Sequence, residues 1–153
     1  VRGPNVFVGY WNMPEKTHEE LREDGFFITG DLGRIDEHGY LQIVGRNKDL
    51  IISGGYNIYP KEIELVLDEQ PGVLESAVIG APHPDFGESV IGILVADGSQ
   101  PVDLDAIEAN IGKTLARFKQ PRKLILVESL PRNTMGKVQK NILRDKFGST
   151  FQG

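Results

Sequence analysis

The stretch Gly45-Arg46-Asn47-Lys48-Asp49-Leu50-Ile51-Ile52-Ser53-Gly54-Gly55-Tyr56-Asn57-Ile58-Tyr59-Pro60-Lys61-Glu62 constrains the fold more than any other part of the chain. A polar Gly-Arg-Asn-Lys-Asp run meets an apolar Leu-Ile-Ile strand. That strand breaks at two glycines and resumes briefly before a proline that can open a helix. The pattern reads as a junction between two bodies followed by a hairpin. Gly54 and Gly55 can take positive φ and present bare backbone, so a slender group could pass close to the main chain there. Taken alone, the glycines can equally be nothing more than a tight turn.

Before the junction, Val6–Tyr10 reads as a short strand and Glu15–Glu23 as a charged helix. Leu32–Ile35 and Tyr40–Val44 flank Asp36-Glu37-His38-Gly39 and predict a β-hairpin. Little here could form a core unaided, so residues 1–47 read as the β-rich end of a larger domain. After the junction, Pro60 starts a helix with Ile63, Val66 and Leu67 on one face. Ala77–Ile79, Val90–Ala96 and Lys123–Val127 are strand candidates. Asp103 can cap a helix that aligns Leu104, Ile107, Ile111 and Leu115. Val138, Ile142, Leu143 and Phe147 predict a last amphipathic helix. Residues 48–153 therefore read as an α+β unit, a small sheet of about three strands flanked by helices.

With 39% hydrophobic and 25% charged residues among 153, a packed core is expected and wholesale disorder is not. No apolar run approaches the length of a membrane span. The absence of cysteine removes disulfides and thiolate metal sites and fits a reducing, cytoplasmic setting. The chain opens on Val1-Arg2 with neither methionine nor a signal-like segment, as a piece of a longer protein would. Its net charge of −5 is uneven: residues 1–112 carry 7 basic and 20 acidic side chains, residues 113–153 carry 10 and 2. Such a basic tail could attract nucleotide phosphates, the phosphates of coenzyme A or nucleic acid, or could simply face acidic neighbours.

Three motifs occur in order: Thr29-Gly30-Asp31, the junction itself, and Pro131-Arg132-Asn133-Thr134-Met135-Gly136-Lys137. In the junction the fixed points are Gly45, Arg46, Lys48, Asp49, Ile51, Gly54, Asn57, Ile58, Pro60, Glu62, Ile63 and Glu64. In these the chain resembles the AMP-forming acyl-CoA synthetases of the adenylate-forming superfamily, and the resemblance runs its whole length. Across Tyr10–Thr17 and around Arg46 it looks most like the malonyl-CoA synthetases.

The carboxylate of Asp31 can accept both hydroxyls of a ribose, although an isolated Asp at a bend is as often a turn residue. The resemblance implies the ribose of AMP. Arg46 can engage phosphate or ribose oxygens through its planar fork, or form a surface ion pair; the resemblance favours the nucleotide. It further implies that Lys48 is a hinge between a large and a small domain. Lys137 alone reads as a solvated loop lysine; the resemblance implies that it neutralises charge as a carboxylate attacks the α-phosphate of ATP, and that Ser53, Gly54 and Gly55 wall the pantetheine channel. ATP and coenzyme A are the implied co-substrates, with Mg2+ held mainly by the larger domain. A small, malonate-like carboxylic acid is the implied substrate, and a protein lysine acetyltransferase or deacetylase acting on Lys137 is a further implied partner.

The rival readings are an adenylation domain that loads a carrier protein, another acyl-CoA ligase, or a basic nucleic-acid-binding module. His18, His38 and His83 are too scattered for a metal site and read as surface or turn residues. Pro82–Glu88 reads as a structural loop. Trp11 and the tyrosines form no legible stacking platform for nucleic acid, and neither nucleic acid nor a membrane is expected as a partner.

Overall fold

The structure, a computed structural model, describes residues 1–152. It divides into two compact units, Val1–Lys48 and the chain from Asp49 onward.

In the first unit, α1 (Pro14–Glu20) begins on a proline, whose missing N–H costs nothing in a first turn. It ends short of Glu23, because Leu21 turns extended and bridges Phe27. The strand expected at Val6–Tyr10 does not form. The Tyr10 amide instead donates to Thr17 Oγ1 on α1 at 2.9 Å, and Asn12 closes the following turn at φ 54°. β1 (Asp31–Ile35) and β2 (Leu41–Arg46) make the expected antiparallel hairpin, in which Asp31 lies opposite Arg46. Asp36 organises the turn by accepting the amides of His38 and Tyr40, each at 2.9 Å.

The second unit starts with the hairpin β3 (Ile51–Ser53) and β4 (Tyr56–Ile58). Gly54 and Gly55 at φ 56° and 83° form the two-residue turn with both central residues left-handed, which matches strand twist. Then follow α2 (Pro60–Asp68), β5 (Val73–His83), β6 (Gly87–Ala96), α3 (Leu104–Thr114), β7 (Lys123–Val127) and α4 (Lys140–Phe147). The sheet order is β4-β3-β6-β5, with β7 parallel to β6. Five strands result rather than about three, because the short hairpin joins the sheet where Ser53 meets Gly87.

Alternation along β5 and β6 sorts the core into two layers. Val78, Val90 and Leu94 pack with α2 and α3 through Ile63, Leu67, Ile107 and Ile111. Ala77, Ile79, Ile91 and Ile93 pack with Leu143 of α4. Each fully buried Leu or Ile contributes about 1.5–3 kcal/mol. Asp103 caps α3 as expected, its carboxylate accepting the Ala106 amide at 3.0 Å. Ile142, expected on the buried side of α4, is 40% exposed, so Leu143 and Phe147 seat that helix.

One irregularity matters below. The β5–β6 ladder shifts register between Val73 and Glu75. Val73 therefore faces the α2 layer although Ala77, of the same parity, faces α4. Among the described residues, no helix is long and apolar enough to cross a membrane.

Candidate functional site

The first unit carries Asp31 and Arg46 on facing ends of β1 and β2. Arg46 Nε lies 2.8 Å from Asp31 Oδ1, and both side chains are partly exposed. The Asp31 amide donates to Thr29 Oγ1 at 3.1 Å, and Asn47 N–H to the Gly30 carbonyl at 2.9 Å, so the bend before β1 is fixed at both ends. A cleft of about 710 Å³ opens beside them, lined also by Tyr10, Lys16, Glu20 and Lys48. On its wall the Tyr10 hydroxyl donates to Glu20 at 2.6 Å and Lys16 pairs with the same carboxylate at 3.1 Å. The hydrogen bond from Tyr10, then that from Lys16, holds the Glu20 carboxyl below its usual range; the same bonds raise Tyr10 and Lys16.

In the second unit the Gly54 amide donates to the Phe86 carbonyl at 2.9 Å, which pins the hairpin to the β5–β6 turn. Pro82–Glu88, expected as a loop, is mostly strand: Pro82 and His83 end β5, Gly87 and Glu88 open β6, and only residues 84–86 turn between them, while Glu88 also accepts the Ile52 amide at 2.8 Å. Of the two places expected for His83, surface or turn, it takes the turn: it ends β5, its Nδ1 accepts the Asp85 amide at 3.2 Å, and its ring packs between Phe86 and Phe151 with only 15% of the side chain exposed.

Beside Ser53 and Gly54 lies a cleft of about 310 Å³ that sequence reasoning missed. Tyr56 and Phe118 stack across it with ring centroids 4.5 Å apart, and Arg122 sits 4.4 Å over Phe86. Arg117 lines it as well. An aromatic pair flanked by two guanidinium groups suits a nucleotide base and its phosphates. The signal available in sequence was Ala116-Arg117-Phe118-Lys119, too short to weigh without knowing that Tyr56 folds onto it.

Lys137 stands on a tight loop between β7 and α4. Asn133 organises it: Oδ1 accepts the amides of Met135 and Lys137 at 3.0 and 2.9 Å, and the Asn133 amide donates to the Lys137 carbonyl at 2.9 Å. Gly136 sits at φ 77°. Lys137 is exposed, and among the described residues no hydrogen bond or ion pair engages its ammonium. The loop and the glycine turn lie towards opposite ends of β5. Glu75 and His83 mark those ends, roughly 26 Å apart at about 3.3 Å of rise per residue.

Among the described residues, four of the ten basic side chains in residues 113–153 pair with carboxylates of their own unit. Lys119 pairs with Glu62, Arg132 with Glu75, Lys140 with Glu64 and Arg144 with Asp49. Among the described residues, no group of three or more His, Asp or Glu side chains gathers to hold a metal ion.

Residues 62–137 match the family model described as AMP-binding enzyme C-terminal domain. The chain carries the C-terminal domain of the adenylate-forming enzymes. It is similar to the long-chain-fatty-acid–CoA ligase FadD13 of Mycobacterium tuberculosis, 48% identical over 141 residues, which cover 92% of this chain and 28% of that protein. It is likewise similar to the malonate–CoA ligase of Arabidopsis thaliana, 44% identical over 155 residues, covering 94% and 26%. Among solved structures, ATP-bound MatB from Rhodopseudomonas palustris is 58% identical with a TM-score of 0.88, over 98% of this chain and 30% of that one. This adenylate-forming C-terminal domain and the residues before it thus span under a third of the relatives they match.

Proposed function

We infer that the chain is the C-terminal part of an AMP-forming acyl-CoA ligase. Residues 1–47 close the adenylate-binding domain, and residues 48–153 form a lid that pivots at Lys48. The first half-reaction joins a carboxylate to ATP, giving acyl-AMP and pyrophosphate. In it the Lys137 ammonium neutralises charge at the α-phosphate while Asp31 takes the ribose hydroxyls and Arg46 steadies them. In the second half-reaction the thiol of coenzyme A displaces AMP, passing the bare backbone of Ser53-Gly54-Gly55. The carrying observation is the unpartnered Lys137 ammonium on a loop whose backbone is fixed. The Mg2+ that accompanies ATP would be held mainly by the larger domain.

Coenzyme A, rather than a carrier-protein pantetheine, is favoured by the Tyr56–Phe118 stack and the two arginines beside Gly54, because only coenzyme A brings a nucleotide to that cleft. Malonate is the leading acid, on the likeness to a malonate–CoA ligase. A comparable likeness to a long-chain ligase makes a panel of acids in pyrophosphate exchange the proper test. The exposure of Lys137 also makes it the residue a protein lysine acetyltransferase would reach, and acetylation would remove the charge adenylation uses. Mass spectrometry after incubation with such an enzyme checks this.

In the full-length protein, Lys137→Ala should cripple acyl-AMP formation, by on the order of a hundredfold or more, and spare thioester formation from supplied acyl-AMP. Equal loss in both half-reactions would refute the assignment.

A further inference from the structure

A lysine at an exposed tip is useful only if its backbone is held, because misplacing a catalytic group by about 1 Å can cost a hundredfold in rate. The Lys137 loop is fixed internally by Asn133, but internal bonds do not say where the loop sits on the sheet. Arg132 supplies that link. One of its guanidinium nitrogens donates to the carbonyl of Gly136, the residue before Lys137, at 2.6 Å. Another pairs with the Glu75 carboxylate on β5. A single planar group thus bridges the loop and the central hairpin of the sheet.

Glu75 reaches Arg132 only because β5 is irregular. In an unbroken strand Glu75 would share a face with Val73, which belongs to the layer of α2 and α3. The register shift before Glu75 gives Leu74 no ladder partner, leaves it exposed, and turns Glu75 to the face of Ala77 and α4. There its carboxylate is partly buried, with 28% of the side chain accessible. The bulge with its acidic residue and the arginine lie far apart in sequence, and through them β5 is linked to the Gly136 carbonyl.

We propose that Glu75, acting through Arg132, is a positioning residue for Lys137: the β5 bulge aims its carboxylate so that the guanidinium sets the loop on the sheet. The proposal rests on the reading of Lys137 as the adenylation lysine. It adds that the lysine's placement is dictated from β5, by a residue that meets no substrate.

The test is Glu75→Gln in the full-length protein, a change that keeps shape and removes the charge. ATP–pyrophosphate exchange should fall on the order of tenfold through kcat, with KM for ATP unmoved. Thioester formation from supplied acyl-AMP should be unchanged, and amide hydrogen exchange over residues 132–138 should accelerate. Adding Glu75→Gln to Lys137→Ala should lower exchange no further. Arg132→Lys, which keeps the charge but loses the planar fork, should reproduce the adenylation defect. Normal pyrophosphate exchange in Glu75→Gln, with Lys137→Ala crippled, overturns the proposal and leaves the assignment of Lys137 standing. Equal loss in both half-reactions also overturns it, since a structural role moves both. If Lys137→Ala itself adenylates normally, the underlying reading fails and the proposal falls with it.

Discussion

The Nζ of Lys140 lies 2.6 Å from Oε1 of Glu64, and that same oxygen accepts the amide of Val78 at 3.0 Å. Val78 sits on the outer edge of the sheet, so the carboxylate covers a ladder amide that β6 does not use and ties α2 to α4 around that edge. Glu64 is 7% exposed. Lys140→Met strands a buried carboxylate and should destabilise the protein by about 3 kcal/mol, whereas pairing it with Glu64→Gln should recover much of the loss. Urea unfolding of the two variants decides. A double variant no more stable than the single one would mean the pair acts through something other than charge burial.

Gly54→Ala should separate backbone strain from chemistry. A methyl group there meets Phe86 Cδ1 at 3.5 Å, ordinary contact, so the cost comes from φ 56° and amounts to about 1–2 kcal/mol. With the backbone thickened, thioester formation from supplied acyl-AMP should slow while pyrophosphate exchange stays within about twofold. Slowing of exchange alone would place the turn on the wrong half-reaction.

On the ribose role proposed for Asp31, Asp31→Ala should lower kcat/KM for ATP by on the order of tenfold or more. It also releases Arg46 from its 2.8 Å pair, so Arg46→Lys is the needed control. Unchanged ATP kinetics in Asp31→Ala would return that residue to a turn role.

Tyr10, Lys16 and Glu20 set a pH dependence whose sign follows from their shifts. Glu20 is held low, so its contribution is full above the ordinary carboxylate value of about 4.3 and is lost as pH falls through the folded value. Tyr10 and Lys16 are held high, so theirs is full below about 10 and is lost as pH rises through their folded values. Tyr10→Phe removes the largest cause acting on Glu20 and should return its titration towards the ordinary range, as NMR of the side-chain carboxyl would show. A Glu20 titration indifferent to Tyr10 would mean that Lys16 alone holds it.

Much of this was readable along the chain. Proline at helix starts, Asp103 as a cap and the two glycines as a hairpin turn are local chemistry, and local chemistry is written in neighbouring residues. What escaped depends on distant partners. Val6–Tyr10 has strand composition, but the Tyr10 amide finds Thr17 instead. Ile142 has the right spacing, yet α4 is seated by Leu143 and Phe147. The cleft of Tyr56 and Phe118 unites residues far apart in sequence, and the β5 bulge shows only when Val73 and Glu75 are seen against β6. The basic tail is the clearest case. Composition left its target open, while the fold hands Lys119, Arg132, Lys140 and Arg144 to carboxylates of their own unit.

The β5–β6 hairpin is a stiff spar with the Gly54-Gly55 turn pinned at one end and the Lys137 loop tied near the other, and no rotamer change carries one to the other's place. On the function proposed above, such a lid takes turns, and the time lost in turning would become part of every catalytic cycle. A compound lodged against the outer turn at Phe86 would stall that exchange without imitating any acid. Inhibition of this kind would be blind to which carboxylate the enzyme prefers.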